Sequence, residues 1–330
     1  MNKGTGMEKE RYYSLHTYIK ETFGEKMYKI SLNGGMTCPN RDGTLGDRGC
    51  IFCSEGGSGD FAAQKNLSIT EQIEMGKTQV AKKYSGHSYI AYFQAYTNTY
   101  APVSYLERIF TEAIEHKNIK VLSIATRPDC LSDDVLKLLD RLNQKKPVWV
   151  ELGLQSIHKK SAEWMRRGYE LSVFDWAVNQ LHAMGISVIV HVILGLPCES
   201  ESDMLKTIDH LNTKPISGVK LQLLHVLDHT DLGDYYRTTG FHIYTMEEYF
   251  SLLGRCLNRL RRDIVIHRLT GDGPKSILIE PKWTGSKRYV LNQMQAYFKE
   301  HDIRQGKDCQ MTVSGNEPDS SQKTGEGRFI

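Results

Sequence analysis

Short apolar runs of strand length recur at 28–32, 88–94, 120–126, 148–154, 187–194 and 219–226, rich in Val, Ile, Tyr and Phe. Runs without strict polar alternation are what strands buried on both faces require. Amphipathic stretches lie between them and carry start and stop signals. Ser68 precedes 69–83, and Ser132 precedes 133–145, whose first turn holds two aspartates. Ser172 precedes 173–184, which stops at Gly185, and Ser200 or Ser202 opens 203–212. Pro102 suits the first turn of a helix over 103–116.

Six strands spaced by helices predict right-handed crossovers and a parallel sheet, either open or curled into a barrel. Both forms place ligands at the carboxyl ends of the strands. The unusual residues fall there: Asn33-Gly34-Gly35, the stretch 94–99, Arg127-Pro128-Asp129, Gln155-Ser156 and Gly195-Leu196-Pro197. Past Asp228 the alternation weakens. Thr245 and Glu248 form a capping box opening a helix to about Arg261; a strand over 264–269 and a helix over 286–301 follow. Residues 313–330 offer little to bury and are expected to be a disordered tail.

Composition narrows the class. The chain has 330 residues, 40% hydrophobic and 25% charged, with a net charge of +3, ordinary for a globular protein. No apolar run reaches the length of a membrane span; the longest, 186–196, is broken by Ser187 and His191. The first residues, MNKGTGMEKE, lack the apolar stretch of an export signal, so a cytoplasmic location is expected. In that reducing setting an odd count of seven cysteines points to metal binding or catalysis rather than disulfides.

Cys38, Cys50 and Cys53 form a C-x11-C-x2-C pattern in the loop after the first strand, where the sheet argument already places a site. The close pair puts two thiolates on one side of a tight turn, and Gly43, Gly46 and Gly49 let the loop fold back to Cys38. A structural zinc site wants four closed ligands, as does a ferredoxin cluster. A four-iron cluster on three thiolates would leave one iron open. The alternatives are a zinc site completed by His87 or a remote cysteine (Cys130, Cys198, Cys256 or Cys309), or inert buried cysteines.

This segment resembles the cluster loop of the radical SAM enzymes, in a variant with an expanded first spacing. The rest resembles their YtqA/YhcC-like branch, related to the Elp3-type and coproporphyrinogen-oxidase-type members. The similarity runs from about Arg11 to Leu291 through Tyr92-Phe93-Gln94-Ala95-Tyr96-Thr97, Thr126-Arg127-Pro128-Asp129, Glu151 to Ser156, Arg167-Gly168, His191 to Pro197 and His267 to Asp272. It implies an α/β fold, a partial (β/α)6 TIM-like barrel over 28–230. An N-terminal extension (1–27) would pack on it, and a C-terminal α/β extension (231–312) would serve substrate binding. It assigns Cys38, Cys50 and Cys53 to a [4Fe-4S] cluster whose fourth iron is chelated by S-adenosylmethionine.

The same resemblance implies cofactor contacts from Gln94, Thr97, Glu151, Arg167 and Gly195. Gln94 and Thr97 stand where relatives carry a two-glycine-plus-acid motif for the methionine amine. Glu151 would accept from a sugar hydroxyl or the amine, or else form a structural ion pair. Arg167 would grip the cofactor carboxylate, or else be a solvated helix charge. Tyr169 replaces the usual His after Arg-Gly, and Cys198 replaces a glycine after Leu-Pro. His191, His225 and Arg268 are candidates to face the cavity or to be hydrogen-bonded core residues.

The branch implies tRNA as substrate: conversion of a carboxymethylaminomethyl side chain at wobble uridine C5 to the aminomethyl form. Flavodoxin or ferredoxin would supply the electron and a tRNA methyltransferase would act next. Residues 255–310 hold 12 Lys/Arg against 6 Asp/Glu, which suits phosphate contacts. Tyr235, Tyr236, Phe241, Tyr244, Tyr249 and Phe250 are either base-stacking groups or core. A small-molecule substrate such as a tetrapyrrole, and a zinc-binding or electron-transfer module, are the competing readings.

Overall fold

A computed structural model describes residues 10–57, 66–271 and 273–309. The segment read as a tail, 313–330, lies outside them. The elements run α1 (Leu15–Phe23), β1 (Tyr28–Leu32), α2 (Ile69–Val80), β2 (Tyr89–Phe93), α3 (Val103–Glu115), β3 (Ile119–Thr126), α4 (Asp133–Asn143) and β4 (Val148–Gln155). Then come α5 (Lys159–Trp164), α6 (Leu171–Ala183), β5 (Ser187–Leu194), α7 (Glu201–Asn212), β6 (Gly218–Leu223) and β7 (Val226–Leu227). The chain continues with α8 (Asp231–Thr239), α9 (Met246–Arg259), β8 (Val265–Arg268), β9 (Leu278–Glu280) and α10 (Lys287–Glu300).

Seven strands pair in the order β1-β2-β3-β4-β5-β6-β8, every pair parallel, as a curled half-barrel with helices outside. The expected six-stranded partial barrel is present, and the strand expected at 264–269 joins its edge as β8. The sheet therefore runs without a break across the 230/231 division. The register explains the apolar runs. One parity of side chains (Leu32, Phe93, Leu122, Val150, Val190, Leu221) meets the helices in the main core. The other parity faces the barrel interior, so both faces are covered and neither alternates.

The interior is layered. At the base, Ile90, Val121, Trp149 and Ile189 pack with Ile19 and Met27, and Leu15, Tyr18 and Phe23 border them. α1 thus stoppers the amino end of the barrel. Ser14 caps it through the Thr17 N–H, and the same residue bridges to Ile266 on β8.

Local start signals mostly hold. Ser68, Ser200 and Thr245 each make a reciprocal capping box. α6 starts earlier than Ser172 indicated, with Glu170 as its cap residue, because the chain turns at Gly168 (φ +83°) and re-enters the helix at once. Among the described residues no helix is long and apolar enough to cross a membrane.

Candidate active site

The cysteine loop closes the carboxyl end of the barrel and is tied to it from several sides. Cys38 O accepts the Arg41 N–H at 2.8 Å, and Asn40 O accepts the Gly49 N–H at 2.6 Å. Gly49 sits at φ +74°, with the Arg41 guanidinium 2.8 Å from where a Cβ would lie; a side chain there would be strained and crowded. Arg41 donates to the carbonyls of Cys53 and Ser54 at 3.0 and 2.6 Å. From outside, Ile51 N–H donates to Met165 O beyond α5, and Leu232 N–H of α8 donates to Ile51 O. Neither α5 nor α8 was foreseen from sequence, yet both hold the loop in place.

Cys38, Cys50 and Cys53 line a cavity of about 570 Å³ that runs into the barrel. The Cys50 thiol is pulled down to about 6, first by the Cys53 thiol, then by the Asn40 amide and the charges of Arg127 and Arg166. That favours thiolate, the form that binds metal. Among the described residues no three His, Cys, Asp or Glu side chains converge on one metal-ion position. Three thiols sharing a wall suit a cube, which offers each a separate iron, better than one zinc ion with four closed ligands. Three of the remote candidates fare poorly as a fourth ligand. Burial pushes Cys130 and Cys256 up to about 12, and His87 is exposed before β2, at the opposite end of the barrel.

The other expected cofactor residues separate. Gln94, Thr97 and Glu151 line the cavity, as do His191, His225 and Arg268. Arg167 does not. Its guanidinium is buried among backbone carbonyls, donating to Leu154 O and Ser156 O at 3.1 and 2.6 Å and to Tyr169 O at 3.2 and 2.9 Å. It is neither a solvated charge nor open to a ligand. Gly195 is also off the cavity wall; its N–H points at the Met204 sulfur, 3.1 Å away. Arg127, placed at this end of the sheet by the sequence but given no cofactor role there, does line the cavity, held bidentate by Asp129 at 2.9 and 2.8 Å. Gln155 (φ +66°) presents a side-chain oxygen that is buried without a hydrogen-bond partner, on the same wall.

Below the thiols lies a layer of buried charge. Glu151 accepts from Lys29 at 2.9 Å, Ser123 at 2.8 Å, His191 at 2.7 Å and also from Lys220. The two ammoniums lie 4.6 and 4.7 Å from the Tyr92 ring centre. Burial alone would push Glu151 up, but the charges of Lys220 and Lys29 and the His191 hydrogen bond hold it well below the usual carboxylate range. Burial pulls Lys220 down to about 7; Glu151 opposes this, while the Lys29 and Arg268 charges add to it. His191 is lowered to about 4, by burial first and then by Lys220. The sequence signal for this layer was a lysine inside each of two largely apolar strands, Lys29 in β1 and Lys220 in β6.

Comparison with known proteins agrees with this arrangement. The chain matches the radical SAM superfamily over residues 42–211 and the radical SAM C-terminal domain over 216–300. It belongs to the radical SAM superfamily. YtqA of Bacillus subtilis (strain 168) is 38% identical over 298 residues, covering 90% of this chain and 92% of that protein. A tRNA uridine(34) acetyltransferase of Methanocaldococcus jannaschii is 25% identical over 198 residues, covering 58% of this chain and 35% of that one. In fold, the chain is similar to the solved Elp3 of Methanocaldococcus infernus lacking its N-terminus. The TM-score is 0.64 at 17% identity, over 84% of this chain and 64% of that one. Radical SAM proteins use a [4Fe-4S] cluster and S-adenosylmethionine.

The aromatic candidates also divide. Tyr249 and Phe250 are core residues, whereas Tyr235 is exposed and meets Trp164 edge-on at 5.7 Å. In the basic segment Arg255, Arg259, Arg261, Arg304 and Lys307 are committed to ion pairs on the protein.

Proposed function

We propose that this radical SAM protein acts on tRNA, converting a carboxymethylaminomethyl side chain at the wobble uridine to the aminomethyl form. The conversion is a two-electron oxidation of the carboxymethyl CH2, with S-adenosylmethionine as the oxidant, followed by hydrolysis of the resulting imine by water. The two carbons leave as glyoxylate and the amine stays on the uridine. The observation that carries this reading is the sequence kinship with a tRNA uridine(34) acetyltransferase, over a barrel whose cavity joins three thiols to a buried polar layer. Cys38, Cys50 and Cys53 hold the cluster. When bound, the cluster and S-adenosylmethionine supply a 5′-deoxyadenosyl radical that removes a hydrogen atom from substrate.

The chain's own residues set the stage for that step. The orphaned Gln155 oxygen is an acceptor waiting for an N–H or O–H donor, which the cofactor's amine or sugar provides. Gln94 and Thr97 supply further polar contacts on the adjoining wall, held by backbone bonds from Gln94 N to Leu32 O and from Thr97 N to Thr37 O. Arg127 keeps positive charge beside the thiolates, and α1 shuts water out from the base. Outside, exposed Lys282 before α10 and Lys287, Arg288 and Tyr289 in its first turn form a basic surface with an aromatic ring that suits phosphate and base contacts. A flavodoxin or ferredoxin supplies the electron, and a tRNA methyltransferase takes the aminomethyl product.

Mass spectrometry of tRNA nucleosides from cells lacking the protein tests this. Carboxymethylaminomethyl-uridine is expected to accumulate, with loss of the aminomethyl-derived nucleosides. An unaltered profile overturns the reading.

A further inference from the structure

The buried layer holds more positive than negative charge. Among the described residues lining the cavity, Glu151 is the single carboxylate, and the charges at its inner end are Lys29, Lys220 and Arg268. Glu151 is already saturated: two oxygens with about four acceptor sites receive four donors. Arg127 is neutralised by Asp129 and belongs to the outer end.

Arg268 is different. It pairs in register with Lys220 across β6 and β8, and it donates to the neutral Gln222 side chain at 3.2 Å. Among the described residues no carboxylate lies within ion-pair distance of it. A guanidinium has five donors, so most of its hydrogen-bonding capacity faces the cavity unmet by an acid. Its charge is felt at Tyr92, His191 and Lys220, which places it against the same layer.

A half-buried arginine beside the buried Lys220 ammonium, with the partly buried Lys29 on the same saturated acid, wants one more anion. The geometry also says which kind. The fork of a guanidinium fits a planar, two-oxygen acceptor, and a neighbouring ammonium adds a point charge. The seat lies deep in the barrel, below the thiol wall, and α1 closes it from beneath. An anion at the end of a group that enters the cavity past the thiol wall reaches it.

We infer that Arg268, assisted by Lys220 and Lys29, is an anchoring subsite for a carboxylate carried at the tip of the substrate's side chain. This rests on the tRNA reading above and adds what that reading lacks, the residues that select an acid-ended arm. A charge-assisted contact of this kind contributes about 1.5–3 kcal/mol, or roughly 10- to 100-fold in specificity. A cofactor carboxylate has the same chemistry, so the experiment separates the two sources.

The holoenzyme is assayed with two anticodon stem-loops, one bearing the carboxymethylaminomethyl arm and one bearing its neutral carboxamide. Wild type is expected to prefer the acid by about 10- to 100-fold in kcat/KM, and Arg268→Gln to shrink that preference to about threefold or less. Arg268→Lys, which keeps the charge without the fork, keeps part of it. An intact preference in Arg268→Gln overturns the subsite. So does a parallel fall in cofactor cleavage without RNA, which would assign the cations to the cofactor.

If wild type turns over neither RNA, the tRNA reading fails, and the subsite is judged by thermal shift with sarcosine against sarcosinamide at matched ionic strength. Stabilisation of wild type by the acid alone, absent in Arg268→Gln, supports it; no difference between acid and amide overturns it.

Discussion

Glu151 accepts from two lysines, a histidine and a serine, so replacing it with glutamine leaves two ammoniums around one neutral amide. Breaking a buried ionic network from the anionic side costs about 3–5 kcal/mol, and denaturant titration of Glu151→Gln is expected to show a loss of that size. Arg167→Ala strands the carbonyls of Leu154, Ser156 and Tyr169, and the expected result is a loss of roughly 3 kcal/mol in the same titration. At the thiols, Cys38→Ala, Cys50→Ala and Cys53→Ala are each expected to abolish cofactor cleavage and iron retention in anaerobically reconstituted protein. Cys130→Ala and Cys256→Ala should keep most of both, and an equal loss in Cys130→Ala would refute the ligand assignment. The thiols were legible because their spacing is local. Arg167 was not, because its acceptors are backbone carbonyls that only the folded end of β4 brings to it.

Elements were legible where their signals are short-range. Capping boxes at Ser68, Ser200 and Thr245 mark three helix starts from residues three apart. Thr245→Ala is expected to cost about 1 kcal/mol, read from the shift in thermal midpoint. α1 left a weaker trace, since its purpose lies in what it touches. Ile19 is buried against inward-facing side chains of β2, β3, β4 and β5. Ile19→Ala opens a hole in that base, and an expected cost of about 2–4 kcal/mol is measurable by urea unfolding. The short β7–β9 pair joins residues some fifty positions apart, from Val226 to Glu280, and no pattern within either strand announces it.

Across the whole molecule, the barrel collects single residues from many strands into one charged layer, and its pH response follows. His191 is held at about 4 in the fold against 6.5 for the free side chain. Between those values the unfolded chain binds the extra proton, so stability is lost as pH falls, by up to about 1.4 kcal/mol per pH unit. Glu151 adds loss of the same sign below 4.5. His191→Gln is expected to flatten the slope between pH 6.5 and 4, measured as urea midpoints against pH; an unchanged slope would show that His191 is not held neutral. The sequence by itself determined the parallel α/β architecture and the three-thiol loop, because burial on both strand faces and ligand spacing are written in neighbouring residues. Only the tertiary structure decided which charges meet. Lys29, Tyr92, Ser123, Glu151, His191 and Lys220 come from six separate strands, and long-range register, not local pattern, sets their distances.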